Sequence, residues 1–487
     1  MITGKQDPAA LAANAGAIKL FLRYGIGFLF NIVGTIVIVR TGGPELWGSV
    51  AVSQVVLTVF ALLSHGCWGY LIQVTAAPDR STIGNCYTLQ TLLSIAWSAL
   101  VLAFMPLLVD RLSSHALFLL VLSSLFGGFF YGWRYVVCGL SERDLKYSVA
   151  TVAELTDIIV FNCIAVSCAL AGRPYEGLVA GNMLRGIVST FVALRMSSQR
   201  LFFAVDNDIL SRIWKFSIPY TSFIALQWLP VYAGPVVAGS MLGIRELGIL
   251  QLAYKTMEYP RVLVTIAFRL SMSIFSRSGK ADIKIQDRLN NVLKLMYFAL
   301  LPAMCILVAL SPLWIPVVYG NAWIEMSKVM IIIVFPYLTM AMMMIMSSLL
   351  SARGNSKAAF IFYGVYNFLY WPVLFMCSRS LGFFGPPLTE WIALTATLVL
   401  VWQVKASGVG SRLIINYSAL LLAASGATLL AWYIARHRTL TETLFAVIIM
   451  TVFWFIMSPV RKEILGWVRL QYAPDAERTS APDESKK

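Results

Sequence analysis

Long apolar runs alternate with short polar links along almost the whole chain. A run of about 20 apolar residues with few charges is long enough to cross a bilayer core as a helix. The pattern predicts fourteen such spans: 17–39, 47–73, 86–109, 116–138, 148–171, 177–195, 216–239, 247–275, 289–311, 327–350, 358–377, 386–404, 414–435 and 440–458. Most links are short and carry turn chemistry, as in Thr41-Gly42-Gly43-Pro44 and Arg353-Gly354-Asn355. The longest internal polar links are 196–215 and 276–288, and the polar tail from Pro474 is expected to be disordered. Continuous apolar runs exclude an outer-membrane barrel, whose strands alternate in and out.

Composition agrees. Of 487 residues, 59% are hydrophobic and 13% charged, about half the charge of a soluble domain. A soluble enzyme, a secreted disulfide scaffold and a disordered chain are excluded. The seven cysteines stand singly in apolar runs without CxxC spacing and read as packing residues. The three histidines are isolated, and no metal site is expected. No short apolar region with a small-residue cleavage site opens the chain, so the first span is expected to stay.

The net charge is +15. With the N-terminus inside, the inside segments hold 23 Lys and Arg and the outside segments seven. This positive-inside bias places both termini in the cytoplasm. Eight basic residues remain within spans.

An internal repeat organises the spans. Gly43-Pro44-Glu45-Leu46-Trp47-Gly48 opens span 2, and Gly243-Ile244-Arg245-Glu246-Leu247-Gly248 opens span 8. The links after spans 4 and 10, Ser141–Lys146 and Ala352–Lys357, echo each other too. The expected fold class is an all-α polytopic membrane protein of about fourteen transmembrane helices. Two parallel six-helix lobes would surround a central cavity, followed by two added C-terminal helices. The boundaries are 1–195 for the first lobe, 196–215 for an interfacial linker, 216–404 for the second lobe, 405–458 for helices 13 and 14, and 459–487 for a cytoplasmic tail.

A charge at the bilayer centre costs about 2.5–3.5 kcal/mol on insertion scales, so it faces a partner or a wet cavity. Arg134, Lys294 and Lys328 lie near predicted helix ends and are expected to snorkel to the interface. On span 8, Lys255, Glu258, Arg261 and Arg269 fall within one arc of about 120°. On span 1, Arg23 shares a face with Gly27, Asn31 and Gly34, small and polar as a cavity lining would be. Arg185 lies mid-span. Arg23, Arg185, Lys255, Arg261 and Arg269 are therefore candidate ligands for an anionic headgroup, because arginine clamps phosphate oxygens bidentately and lysine adds a point charge. Asn31, Gln54, Gln227 and Tyr254 are candidate sugar contacts, with Asn182, Tyr220, Tyr232 and Gln251 nearby in sequence. Glu154 and Asp157, one turn apart on span 5, either bind a coupling proton or sodium ion or serve as counter-ions, and Glu258 carries the same alternatives.

Several stretches resemble the bacterial oligosaccharide-lipid flippases, the polysaccharide biosynthesis proteins of the multidrug/oligosaccharidyl-lipid/polysaccharide exporter superfamily. They are Gly43–Ala51, Trp214-Lys215-Phe216-Ser217-Ile218-Pro219, Leu247–Lys255 and Val318-Tyr319-Gly320-Asn321-Ala322-Trp323. The resemblance implies flipping of an undecaprenyl-diphosphate-linked oligosaccharide to the outer leaflet of the inner membrane by alternating access, for O-antigen, capsule or exopolysaccharide. Arg23, Lys255, Arg261 and Arg269 stand on the first and eighth helices, where the family places cavity cations. It implies no enzyme activity, no cofactor and no nucleic acid. The partners would be the lipid-linked glycan, membrane lipids, a polysaccharide polymerase and chain-length proteins. A lipid II flippase and a cation-coupled small-molecule exporter are the alternatives. A membrane polymerase or glycosyltransferase would need a large outer loop or an acidic pair, and the loop 312–326 holds Glu325 as its only acid.

Overall fold

The computed structural model describes residues 8–73, 78–112, 115–144, 146–197, 199–276, 285–352, 356–394 and 411–437. Nearly all of them are helical, with no strand among them. Backbone polar groups have no water to bond with inside a bilayer, so a spanning segment satisfies them within itself. In chain order the helices are α1 (Pro8–Gln73), α2 (Arg80–Leu112), α3 (His115–Phe129), α4 (Tyr131–Arg143), α5 (Tyr147–Leu170), α6 (Pro174–Ser197) and α7 (Asn207–Leu242). There follow α8 (Ile244–Ser276), α9 (Ile285–Ala309), α10 (Ser311–Val318), α11 (Met326–Ala352), α12 (Ser356–Leu381), α13 (Gly385–Thr389) and α14 (Ser411–His437). Seven stretches are long and apolar enough to cross a membrane, or eight if the bent pair Leu300–Ala309 and Ser311–Val318 is one span. Among the described residues this makes a multi-pass membrane protein. The expected span 440–458 and residues 395–404 of span 12 lie outside the described residues.

The chain forms two compact units. One takes in Met1–Tyr254, Pro316–Met326 and Asn367–Thr389; the other takes in Lys255–Ile315, Ser327–Tyr366 and Glu390–Lys487. In the first unit, Cys67, Leu71, Tyr87, Val137, Ala150 and Ile213 form one core cluster. Val52, Leu57, Phe60, Val121 and Leu247 form another. Large apolar side chains such as Phe191 and Phe368 are exposed, as they are where lipid is the solvent. In the second unit Tyr366 donates to Glu390 at 3.5 Å, and the Trp391 indole donates to the Ile332 carbonyl at 3.1 Å.

Spans 1 and 2 are two helices that meet without a link inside α1, where the backbone is non-helical at Gly43, whose φ of 70° is open to glycine and strained for other residues. Two expectations are corrected. Span 4 runs on to Arg143 after a turn at Phe130, five residues past its expected end. Span 12 is interrupted: Pro386 and Pro387 stand in the short α13, and a turn follows at Glu390. In the linker 196–215, residues 199–206 are non-helical, Asp206 caps α7 by accepting from the Asp208 and Ile209 amides, and Ile209 and Ile213 pack into the core.

The internal repeat has a structural cause. Gly43 and Gly243 both have positive φ, which ends one helix and starts the next in a new direction. Five residues on, the two helices meet. A Cβ at Gly48 would run into the Ile244 carbonyl oxygen, and a Cβ at Gly248 would run into that of Pro44. Those two pairs are the same contact exchanged through the repeat offset of 200. Glycine at both positions lets the α1 and α8 backbones touch. Residues 316–326 fasten the corner, because Arg40 donates to the Val317 carbonyl at 3.2 Å and Arg245 approaches Glu325 at 3.9 Å.

Candidate functional site

The α4, α5 and α6 helices of the first unit enclose a polar cluster. Gly127 on α3 and Gly186 on α6 let those helices approach until a Cβ at Gly186 would meet the Gly127 carbonyl oxygen. This contact fixes α6, and with it Arg185 and Ser189.

Arg134 is the hub. It is 6% exposed. Its Nη1 lies 3.1 Å from Asp157 Oδ1 on α5 and donates to Ser189 Oγ on α6 at 3.0 Å. The Tyr131 hydroxyl donates to the same carboxylate at 2.8 Å, and the guanidinium lies 4.2 Å from the Tyr131 ring centroid. Three helices and one ring thus satisfy one cation, as a buried charge requires. This corrects the expectation that Arg134 snorkels. Because α4 continues to Arg143, Arg134 is nine residues, about 13 Å, from the helix end. Asp157 is the ion-pair partner of Arg134. The signal in the sequence was Tyr131, Arg134, Tyr135 and Cys138 on one helical face, opposite a span that carries two acids.

Arg185 is 7% exposed. Its guanidinium lies 4.8 Å from the Phe161 ring centroid. Its Nε and Nη2 are buried and donate to no acceptor among the described residues. A buried donor without an acceptor costs about 1–3 kcal/mol, and more when charged. Nε and one Nη form an edge that matches two oxygens of a phosphate.

The other candidates are placed as follows. The side chains of Arg23, Arg261 and Arg269 lie outside the described residues. Lys255 and Glu258 are half-buried on α8 in the second unit. Glu154 is half-buried on α5 beside the Arg134 cluster and acts on the Tyr135 hydroxyl. Asn31 and Gln54 on α1 and Gln227 on α7 are half-buried, and Tyr254 is buried. Two glycines that share the face of Asn31 pack closely against α5. A Cβ at Gly27 would lie 2.9 Å from Ile158, and one at Gly34 would meet the Asn162 side chain, so α5 lies against this face.

The α7 helix adds something the sequence did not single out. Pro219, Pro230 and Pro235 stand inside it. A helix-interior proline leaves the carbonyl four residues earlier without its bond. For Pro230 that carbonyl is Leu226, and Asn367 of α12 donates to it at 2.7 Å. Tyr370 donates to the Pro230 carbonyl at 3.4 Å.

The sequence profile of a family described as polysaccharide biosynthesis protein matches residues 37–328. The chain belongs to that family. It is 21% identical over 312 residues to the teichuronic acid biosynthesis protein TuaB of Bacillus subtilis (strain 168). The alignment covers 62% of this chain and 64% of TuaB, so the chain spans less than two thirds of that relative's length. Its fold is similar to that of the lipid II flippase MurJ in an inward closed conformation, with a TM-score of 0.65 and 14% identity, over 93% of this chain and 99% of MurJ. It is also similar to an inward-facing multidrug resistance MATE family transporter of the MOP superfamily, with a TM-score of 0.60 and 15% identity, over 81% and 98%. The protein is therefore a multi-pass, all-α member of a polysaccharide biosynthesis family, with the fold that flippases and exporters share.

Proposed function

We propose that the protein flips an undecaprenyl-diphosphate-linked oligosaccharide from the cytoplasmic to the outer leaflet of the bacterial inner membrane, by alternating access, for O-antigen, capsule or exopolysaccharide assembly. Both termini lie in the cytoplasm. The observation that carries this reading is the buried Arg185 edge, with Nε and Nη2 turned to no acceptor among the described residues. A diphosphate is the anion that a lipid-linked glycan brings into an apolar interior. Family membership and the neighbours' fold support a substrate of this kind.

Arg185 takes one phosphate bidentately. Arg23, Lys255, Arg261 and Arg269 add positive charge along the path, and Asn31, Gln54, Gln227 and Tyr254 bond the sugar hydroxyls. No residue is assigned a catalytic role. The exporter alternative asks for an acid that holds a cation, and Asp157 is already engaged by Arg134.

The test is transport of a fluorescent lipid-linked oligosaccharide by purified protein in vesicles. Arg185→Ala is expected to lower transport about 10- to 100-fold, the worth of one charged hydrogen-bond pair. Arg185→Lys keeps the charge but not the fork, and recovers only part. Wild-type transport by Arg185→Ala at equal protein level would overturn the reading. Rescue of a strain depleted of its own lipid II flippase would instead favour that alternative.

A further inference from the structure

His65 is an imidazole in the second arm of α1, and the diphosphate reading gives it no task. Its ring is caged by aromatic groups from three helices. The centroid distances are 5.2 Å to Tyr135 on α4, 5.3 Å to Trp228 on α7 and 5.9 Å to Trp68 on α1. Its Nδ1 lies 2.7 Å from the Ala61 carbonyl oxygen. A carbonyl only accepts, so Nδ1 carries a hydrogen. Nε2 is then the basic nitrogen, and a further proton must go there.

The cage is tied to charge and to a bendable element. The Trp68 indole donates to Glu142 Oε2 at 3.1 Å, which holds a carboxylate at the cage wall. Trp228 leans on Tyr232 at 5.8 Å. Trp228 stands two residues before Pro230 in the helix that also carries Pro219 and Pro235. Prolines interrupt the backbone ladder, so α7 bends there more cheaply than elsewhere. Gly66 and Gly69 bring α7 against α1 at Ser217 and Tyr220, one turn from His65.

The titratable and charged groups on the helices packed around His65 are Tyr131, Arg134, Tyr135, Glu142 and Arg143 on α4, Tyr147, Glu154 and Asp157 on α5, and Asp208, Arg212, Lys215, Tyr220 and Tyr232 on α7. Arg134 lies 5.8 Å from the Tyr135 ring and is held by Asp157. On α1 itself, Cys67 points to Cys86 and Tyr70 packs on Phe216. Glu142 is the anion that the cage wall itself holds.

We propose that His65 is a proton-binding site that couples transport to proton movement, its protonation on Nε2 holding α7 to α1 and α4 through Trp228. The positive ring is attracted to the aromatic faces and to Glu142. Loss of the proton releases Trp228 and lets α7 flex at its prolines. This supplies the driving ion for the transport proposed above and rests on that reading.

The test has two independent readouts on purified full-length protein in vesicles. The first is tryptophan fluorescence as a function of pH, because an imidazolium quenches a neighbouring indole. Wild type is expected to show an inflection between about pH 5 and 8, and His65→Phe is expected to lack it. His65→Gln, which keeps a donor for Ala61, serves as a second variant should the phenylalanine variant misfold. The second readout is transport of the fluorescent lipid-linked oligosaccharide with and without an imposed proton gradient. Wild type is expected to respond to the gradient. The variants are expected to be slower and to run at one rate in both conditions.

A fluorescence inflection that survives in both variants, or a gradient response that survives in both, would overturn the proposal, as would wild-type transport indifferent to the gradient. If wild type moves no lipid-linked oligosaccharide at all, the transport reading fails. The fluorescence titration then still decides whether His65 binds a proton in the cage.

Discussion

Arg134 and Arg185 occupy adjoining parts of one apolar unit and are about equally buried, yet the protein treats them differently. Arg134 is closed off by Asp157, Ser189 and Tyr131. Arg185 rests on Phe161 and keeps two buried donors without an acceptor among the described residues. Four residues of α6 separate Ser189, which serves the first arginine, from the second. Burial alone therefore does not say what a charge in an apolar interior is for. The partners do. A cation satisfied by its own chain holds helices together, and one left with free donors is available to something else.

Breaking the satisfied arginine is expected to give the largest effect. Arg134→Ala leaves Asp157 uncompensated in the interior, which costs about 3–5 kcal/mol. The expected result is loss of folded, membrane-inserted protein, seen as a collapse of the size-exclusion peak in detergent. Replacing both partners, as in Arg134→Met with Asp157→Leu, removes the charge and its counter-ion together, and is expected to restore the peak. Arg185→Met should leave the peak intact, since it removes donors that have no acceptor among the described residues. If Arg185→Met also collapses, the distinction between the two arginines is wrong.

Gly186 tests the geometry that places both. A methyl group there meets the Gly127 carbonyl oxygen, and backbone cannot rotate away as a side-chain tip can. Gly186→Ala is expected to lower stability by about 1–3 kcal/mol, as overpacking does. Transport per folded molecule should fall as well, because Arg185 is the neighbouring residue. A thermal midpoint equal to wild type would show that α3 and α6 are not held by this contact.

How far the sequence could be read follows from the same comparison. Membrane class, helical architecture and family were legible, because apolar runs and turn residues repeat over hundreds of positions. The Gly43–Gly48 and Gly243–Gly248 repeat was legible as a pattern, and its cause, a reciprocal backbone contact, needed coordinates. Arg134 was misread for a local reason. The end of its helix was expected near residue 138, because Gly139–Arg143 is polar, and a residue near an end can snorkel. Once the helix runs to Arg143, Arg134 is deep in the unit and needs its partner. The close packing of Gly27 and Gly34 on α5 was not legible, because small residues serve a cavity and a close helix contact equally well. The α7 prolines were visible, but which distant donor meets the freed Leu226 carbonyl is a matter of tertiary packing.

Outside the membrane the same chemistry has a smaller stake, and Asp79 measures it. Asp79 precedes α2, and its Oδ1 accepts from the Thr82 amide at 2.8 Å, the geometry of a helix cap. The Thr82 bonds hold its carboxyl below the ordinary value. The sign of the pH effect follows from that direction. A carboxyl more acidic in the folded state than in the unfolded one adds stability above its unfolded value. That stability is lost as the pH falls through the lowered folded value. Asp79→Ala is therefore expected to have a slightly lower thermal midpoint than wild type in detergent at pH 7. The gap should narrow as the pH falls below the ordinary carboxyl value of about 4 and be smallest once the carboxyl is neutral in both states. Asp79→Asn keeps a cap of similar strength without the charge, so its own gap should be small and flat with pH. Water surrounds Asp79 and can replace Thr82, whereas nothing replaces Asp157 for Arg134. A gap at Asp79 as large as the one at Arg134 would mean that solvent access, and not the partner alone, had been misjudged as the factor that separates a structural charge in this protein from an incidental one.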